Sequence, residues 1–178
     1  MHAFPSGTLA LDYVGTRRLR RSDQPTEKLV TPDDLDAWFT ESGMLDDAPG
    51  ADDSDLASGL ELREAIYALM HARMEGHELP ADAVELVNAV AADAPLAIRL
   101  TDAGARRYGT ARQAQSTLAR EAISIAAGDD AALLRECGRP GCTQIYLDRS
   151  RGHRREWCSM ATCGNRMKAA AYRARQKD

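Results

Sequence analysis

Apolar positions along the chain fall into blocks of helical or alternating period, separated by Gly, Pro and helix-capping residues. Residues 9–14, Leu-Ala-Leu-Asp-Tyr-Val, form a short apolar run compatible with one helical turn or a strand, and residues 17–28 read as a loop. Thr31-Pro32-Asp33-Asp34 opens a helix, with Thr as N-cap, Pro in the first turn and acids at the positive end of the helix dipole. Leu35, Trp38 and Phe39 supply its apolar face and Gly43 its stop, and residues 46–53 with Pro49-Gly50 form a linker. The strongest helical pattern comes next, capped by Ser54 or Asp55 and ending at Glu75-Gly76. Its apolar residues Leu56, Leu60, Leu62, Ile66, Tyr67, Leu69, Met70 and Met74 cover roughly half the circumference, which implies burial between neighbours.

Pro80 opens another helix, with Val84, Leu86, Val87 and Val90 on its apolar side. Residues 96–100 read as a strand, 102–104 as a turn and 106–110 as the partner strand. The helical pattern returns over 112–127, with Leu118, Ala122, Ile123 and Ile125, and Gly128 stops it. Asp129 starts a short helix through Leu133-Leu134 that delivers the chain to Cys137. Ile145 and Leu147 alternate with polar residues as a short strand, turning at Ser150 to Gly152. The last helix spans about residues 160–176, and its stripe of Cys163, Met167, Ala171 and Ala174 is expected to lie on the metal core and the domain.

Composition narrows this picture. Apolar residues make up 44% of the chain but aromatics only 5%, so the core is built from Leu, Ile, Val, Met and Ala, which favours helices over a β-sandwich. No apolar run approaches the roughly 18 residues that a membrane span needs. The first residues, Met1-His2-Ala3-Phe4-Pro5, lack a signal-peptide pattern. The expected location is therefore the cytoplasm, where thiols stay reduced. Three lysines against twenty arginines, with abundant Ala and Asp, point to GC-rich codons and a bacterial source. The expected fold is α+β. A helix-rich domain with a small β-hairpin fills residues 1–132, and a small treble- or knuckle-like four-cysteine finger ending in a helix fills 133–178.

Charge divides the chain at the same place. The whole carries a formal −4, but residues 133–178 hold eleven basic and four acidic side chains, +7, which leaves −11 on the remainder. An acidic body with a basic end implies two parts with different partners, a polyanion for the second; a solvated basic surface is the alternative. A second basic cluster, Arg17-Arg18-Leu19-Arg20-Arg21, is expected to be exposed in its loop. Residues 1–132 carry no glycine-rich phosphate loop, nucleophile elbow or metal-helix motif, so no catalytic residue is assigned and no enzyme is expected. His71 and His77, six residues apart, do not share a helical face and read as surface or cap residues.

All four cysteines sit in the basic end, as Cys137-Gly-Arg-Pro-Gly-Cys142, fifteen residues, then Cys158-Ser-Met-Ala-Thr-Cys163. Two close pairs separated by a loop of this length match a tetrahedral four-cysteine zinc site, and four soft thiolates favour zinc. Two disulfides would need an oxidising compartment, an iron–sulfur cluster would have tighter spacing, and His153 lies between the pairs as a substitute ligand. Trp157 reads as a cover for the small metal core, with base stacking as the other option. Nearby candidates for DNA contacts are Arg149, Arg151, Arg154 and Arg155 in the loop, with Asn165, Arg166, Lys168, Arg173 and Lys177 on the last helix. Arg166, Arg173 and Lys177 are spaced to form one row.

Cys137…Cys142, Asp148-Arg149-Ser150-Arg151, Trp157-Cys158-Ser159-Met160 and Cys163-Gly164-Asn165-Arg166 together resemble the bacterial CGNR zinc finger, over about residues 133–175. Leu11-Asp12-Tyr13-Val14, Thr31-Pro32-Asp33-Asp34-Leu35 and Leu62-Arg63-Glu64-Ala65-Ile66-Tyr67 resemble the ABATE domain that accompanies it, more loosely; Gly15-Thr16 stands where that family commonly has Asn-Thr. The resemblance implies a stress-related transcription regulator whose finger binds DNA and whose first domain senses or regulates, with Cys137, Cys142, Cys158 and Cys163 as ligands. A small-molecule effector and a homodimer are the further partners considered. The rival expectation is a protein- or RNA-interaction module with a purely structural finger.

Overall fold

The computed structural model of the chain describes residues 2–176. Its order is α1 (Leu9–Val14), β1 (Arg17–Arg18), β2 (Thr26–Glu27), α2 (Pro32–Glu41), α3 (Asp53–Glu75), α4 (Ala81–Ala91), β3 (Ala97–Thr101), β4 (Gly104–Tyr108) and α5 (Ala111–Ala127). A 3-10 turn (Asp129–Leu133), β5 (Leu134–Glu136), β6 (Ile145–Leu147), a π-type turn (Met160–Gly164) and α6 (Asn165–Arg175) complete it. The fold is α+β: helices dominate, and the strands form three separate antiparallel pairs, β1–β2, β3–β4 and β5–β6.

Local chemistry sets the helix starts. Thr31 and Asp34 close a reciprocal capping box on α2, Thr110 and Gln113 do so on α5, and Asp52 with Asp55 on α3. Asp52 caps α3 in place of Ser54 or Asp55, because its side chain reaches the Asp55 amide while the Asp55 carboxylate returns the bond. The short run 9–14 is helical, buried along almost its whole length against α3 and α5. Leu62, Ile66, Leu69 and Met70 of α3, with Leu118, Ala119, Ala122 and Ile125 of α5, form the centre of the core; Trp38 meets Tyr13 edge to face with ring centres 4.9 Å apart.

Three expectations change. Residues 17–28 contain the β1–β2 pair, Arg17 facing Glu27 and Arg18 facing Thr26. Leu134 ends no helix; it begins β5, whose partner β6 lies beyond the cysteine knuckle, with Leu134 opposite Leu147 and Glu136 opposite Ile145. The basic cluster 17–21 is not uniformly exposed, for Arg20 keeps only 6% of its side chain in solvent. Its guanidinium bonds Glu64 and lies 4.3 Å over the Tyr67 ring. Beside it Arg63, fully buried on α3, grips both carboxylate oxygens of Glu27 at 2.6 and 2.7 Å and bonds Glu64 and Thr16. A buried guanidinium satisfied on all sides is costly to break, because removing one partner strands the other charge. No helix among the described residues is long and apolar enough to cross a membrane.

Candidate metal centre and basic face

Strand β6 is where the small module meets the large one. Side chains alternate along a strand, and here Ile145 and Leu147 join Leu134 in the main core while Tyr146 turns to the cysteines. Gln144, just before β6, sends its amide into the N-terminal domain, donating to Ser6 Oγ at 2.7 Å and to the Leu11 carbonyl at 3.0 Å. A side chain at Gly15 would overlap that amide, so glycine is what lets the two parts close.

Cys137 and Cys142 frame a tight turn closed by the Cys142 amide on the Arg139 carbonyl; Cys158 precedes the π-type turn and Cys163 lies within it. All four cysteines are buried, none is in a disulfide, and their sulfurs lie within 4.8 Å of one another. Cys158 Sγ is 3.5 Å from Cys163 Sγ, which is 3.8 Å from Cys142 Sγ. A tetrahedron with Zn–S bonds of about 2.3 Å has sulfur–sulfur edges of about 3.8 Å, so the cluster has the size zinc requires. The Cys158 amide points at Cys137 Sγ (3.4 Å) and Arg139 Nε at Cys163 Sγ (3.1 Å), donors that offset charge on the sulfurs. The four cysteines form the site of one structural zinc and would supply all four of its ligands.

His153 is outside this cluster; its Nδ1 lies 2.8 Å from the Asp148 carbonyl. Trp157 packs on the cysteines as a cover. A side chain on Gly164 would meet Met160 Sδ at 2.6 Å and Trp157 at 3.2 Å, so a larger residue after the last ligand would have to displace the Met160 side chain.

The arginine loop is organised by Asp148. Its buried carboxylate accepts from the Ser150 amide (3.0 Å), the Ser150 hydroxyl (2.6 Å) and the Arg155 amide (3.1 Å). Desolvation opposes ionisation there, but these bonds outweigh it and hold the carboxyl below its ordinary range. Arg151 and Arg154 project from this turn into solvent, and Arg149 pairs with Asp130 at 2.7 Å. Arg155 is set apart from them. It stacks 4.3 Å over Tyr146 and donates to the Trp157, Pro5 and Cys158 carbonyls, so its guanidinium ties the finger to the N-terminal segment rather than facing a phosphate.

Helix α6 departs from expectation. None of its residues is buried; Met167 is half-buried, while Ala171 and Ala174 are exposed. The stripe therefore does not lie on the domain: the helix leaves the zinc core after Gly164 and runs outward. Asn165, Arg166, Lys168 and Arg173 are all exposed on it. Lys177 falls outside the described residues. Sequence reasoning missed the buried arginines Arg20 and Arg63, whose partners lie 44 and 36 residues away, leaving no local pattern to read.

A helix-rich domain carrying a docked four-cysteine zinc finger with a projecting basic helix is the class that fold and site define. The chain belongs to the ABATE family, whose model, described as "Putative stress-induced transcription regulator", matches residues 7–136; the CGNR zinc finger model matches residues 134–176. No curated protein matches the chain.

Proposed function

We propose that this chain is a cytoplasmic, non-enzymatic transcription regulator that binds duplex DNA through its zinc finger, with the N-terminal domain regulating that binding. The observation that carries the reading is α6: eleven residues, none buried, with Arg166, Lys168, Arg173 and Arg175 and no acid. Folding gains little from such a helix, whereas a polyanion meets cations on both of its sides, Arg166 and Arg173 on one face and Lys168 and Arg175 on the other. Arg151 and Arg154 extend the same charge onto the adjoining loop. The family description agrees with a regulator.

The test is binding of the zinc-loaded chain to pools of duplex DNA and of RNA over a salt series. Wild type should bind duplex with steep salt dependence, and Arg166→Ala with Arg173→Ala should reduce the slope of log K against log salt by roughly 1.8, about 0.9 for each lost phosphate contact. Preference for RNA, or binding to no nucleic acid, would move the finger to an interaction role.

A further inference from the structure

At the seam between the two parts lies a half-enclosed cavity of about 270 Å³. Three arginines from three separate segments line it, Arg18 on β1, Arg139 in the cysteine knuckle and Arg166 at the start of α6, and its floor is the metal site, through Cys142, Cys158 and Cys163. No carboxylate lines it. Part of the positive charge answers the sulfurs, since the zinc–thiolate centre carries a formal −2 and Arg139 Nε points at Cys163 Sγ. The other two are less committed. Arg18 uses Nε on the Gly15 carbonyl at 3.3 Å, which leaves its terminal nitrogens, and Arg166 makes no hydrogen bond or ion pair among the described residues. On the lip stands Phe4, an exposed aromatic whose ring is tilted against Trp38 at 6.0 Å.

We infer that this seam is a nucleotide seat, with the phosphoryl group held by Arg18 and Arg166 and the base against Phe4 and Pro5. Paired arginines match phosphate oxygens in fork geometry, and a ring with a free face accepts any base by stacking. The cavity is larger than an inorganic ion needs; Ala3, Phe4 and Pro5 form an apolar stretch of its lining, and Gln144, Ser159 and Thr162 add polar groups beside the cysteines. The occupant is a free mononucleotide or one unit of a strand. The inference goes beyond DNA binding by α6, because Arg18 and Phe4 belong to the N-terminal domain, so an occupant touches both parts at once.

The experiment is calorimetric titration of the full zinc-loaded chain with adenosine monophosphate, adenosine, inorganic phosphate and a short single strand. The monophosphate should bind at least tenfold more tightly than adenosine. Arg18→Gln and Arg166→Gln should each weaken it at least fivefold, with zinc still at one per chain, and Arg173→Ala should not. Phe4→Ala should weaken the monophosphate but leave inorganic phosphate unchanged. A strand that outcompetes the monophosphate assigns the seat to nucleic acid; the reverse assigns it to a free ligand, and either supports the inference. Equal binding of adenosine and its monophosphate, or an Arg18→Gln chain with full zinc and unchanged affinity, overturns it. Duplex binding that survives Arg18→Gln while the monophosphate never binds would sink the seat alone; monophosphate binding without duplex binding would sink the DNA reading alone.

Discussion

The finger contains two halves built on opposite terms. From Leu134 to Cys163 it is fixed from several directions: Leu134, Ile145 and Leu147 share the main core, Gln144 and Arg155 bond the N-terminal segment, and four cysteines converge on one point. From Asn165 to Arg175 no side chain is buried. The contrast runs through the Cys163-Gly164-Asn165-Arg166 motif itself, whose first two residues are buried and last two exposed. The part that folding requires ends at Gly164, and the helix beyond it is free to meet a partner. Isolated helices of this length are marginal in water, so α6 should gain most of its order from whatever it binds.

The largest expected effect comes from removing the metal. Zinc contributes about 10–16 kcal/mol in isolated finger peptides. Because β6 lies in the main core, chelation should lower the melting temperature of the whole chain by more than about 10 °C in a single calorimetric transition. Two independent transitions would mean that the halves are not joined as described. Next is Ile145→Ala, a fully buried truncation expected to cost about 2–4 kcal/mol by denaturant unfolding with zinc still bound.

Asp12 gives a test outside the finger. Burial above all raises its carboxyl to about 6, with Glu121 nearby adding to the effect and hydrogen bonds from Ser6 opposing it. The unfolded chain releases this proton near pH 4. The folded chain therefore holds a proton that the unfolded chain has lost between about pH 4 and 6. The residue's stabilising contribution is full below pH 4 and is lost as pH rises through about 6. Asp12→Asn, which mimics the protonated form, should add about 2–3 kcal/mol at pH 7.5 and nothing near pH 4. An equal gain at both pH values would show that charge is not the cause. The smallest effect belongs to the exposed helix: Arg166→Ala with Arg173→Ala should move stability by less than about 0.5 kcal/mol while cutting DNA affinity. A larger loss of stability would mean that α6 has a structural role.

The zinc site was legible because ligand spacing is written directly in the chain, and the start of α2 because Thr31-Pro32 announces its own cap; the α3 cap falls at Asp52, before the Ser54 or Asp55 expected, and Thr110, read as the end of a strand, caps α5. Strand β5 was not legible: three residues, Leu134-Arg135-Glu136, carry too little pattern, and they pair with β6 only because the knuckle turns the chain back. Arg155 looked like its arginine neighbours; its place over the Tyr146 ring and its bond to the Pro5 carbonyl, 150 residues away, are tertiary contacts that leave no mark in the local sequence. The alanine stripe of α6 misled because methyl groups alone offer little area to bury.

Amide hydrogen exchange on the zinc-loaded chain, with and without saturating duplex DNA, tests most directly whether α6 is ordered by its partner rather than by the fold. Strong protection is expected at Ile145–Leu147 in both states, with fast exchange over Asn165–Arg175 in the free chain and slowing there on DNA. Protection of Asn165–Arg175 without DNA, or exchange there that DNA leaves unchanged, would contradict it.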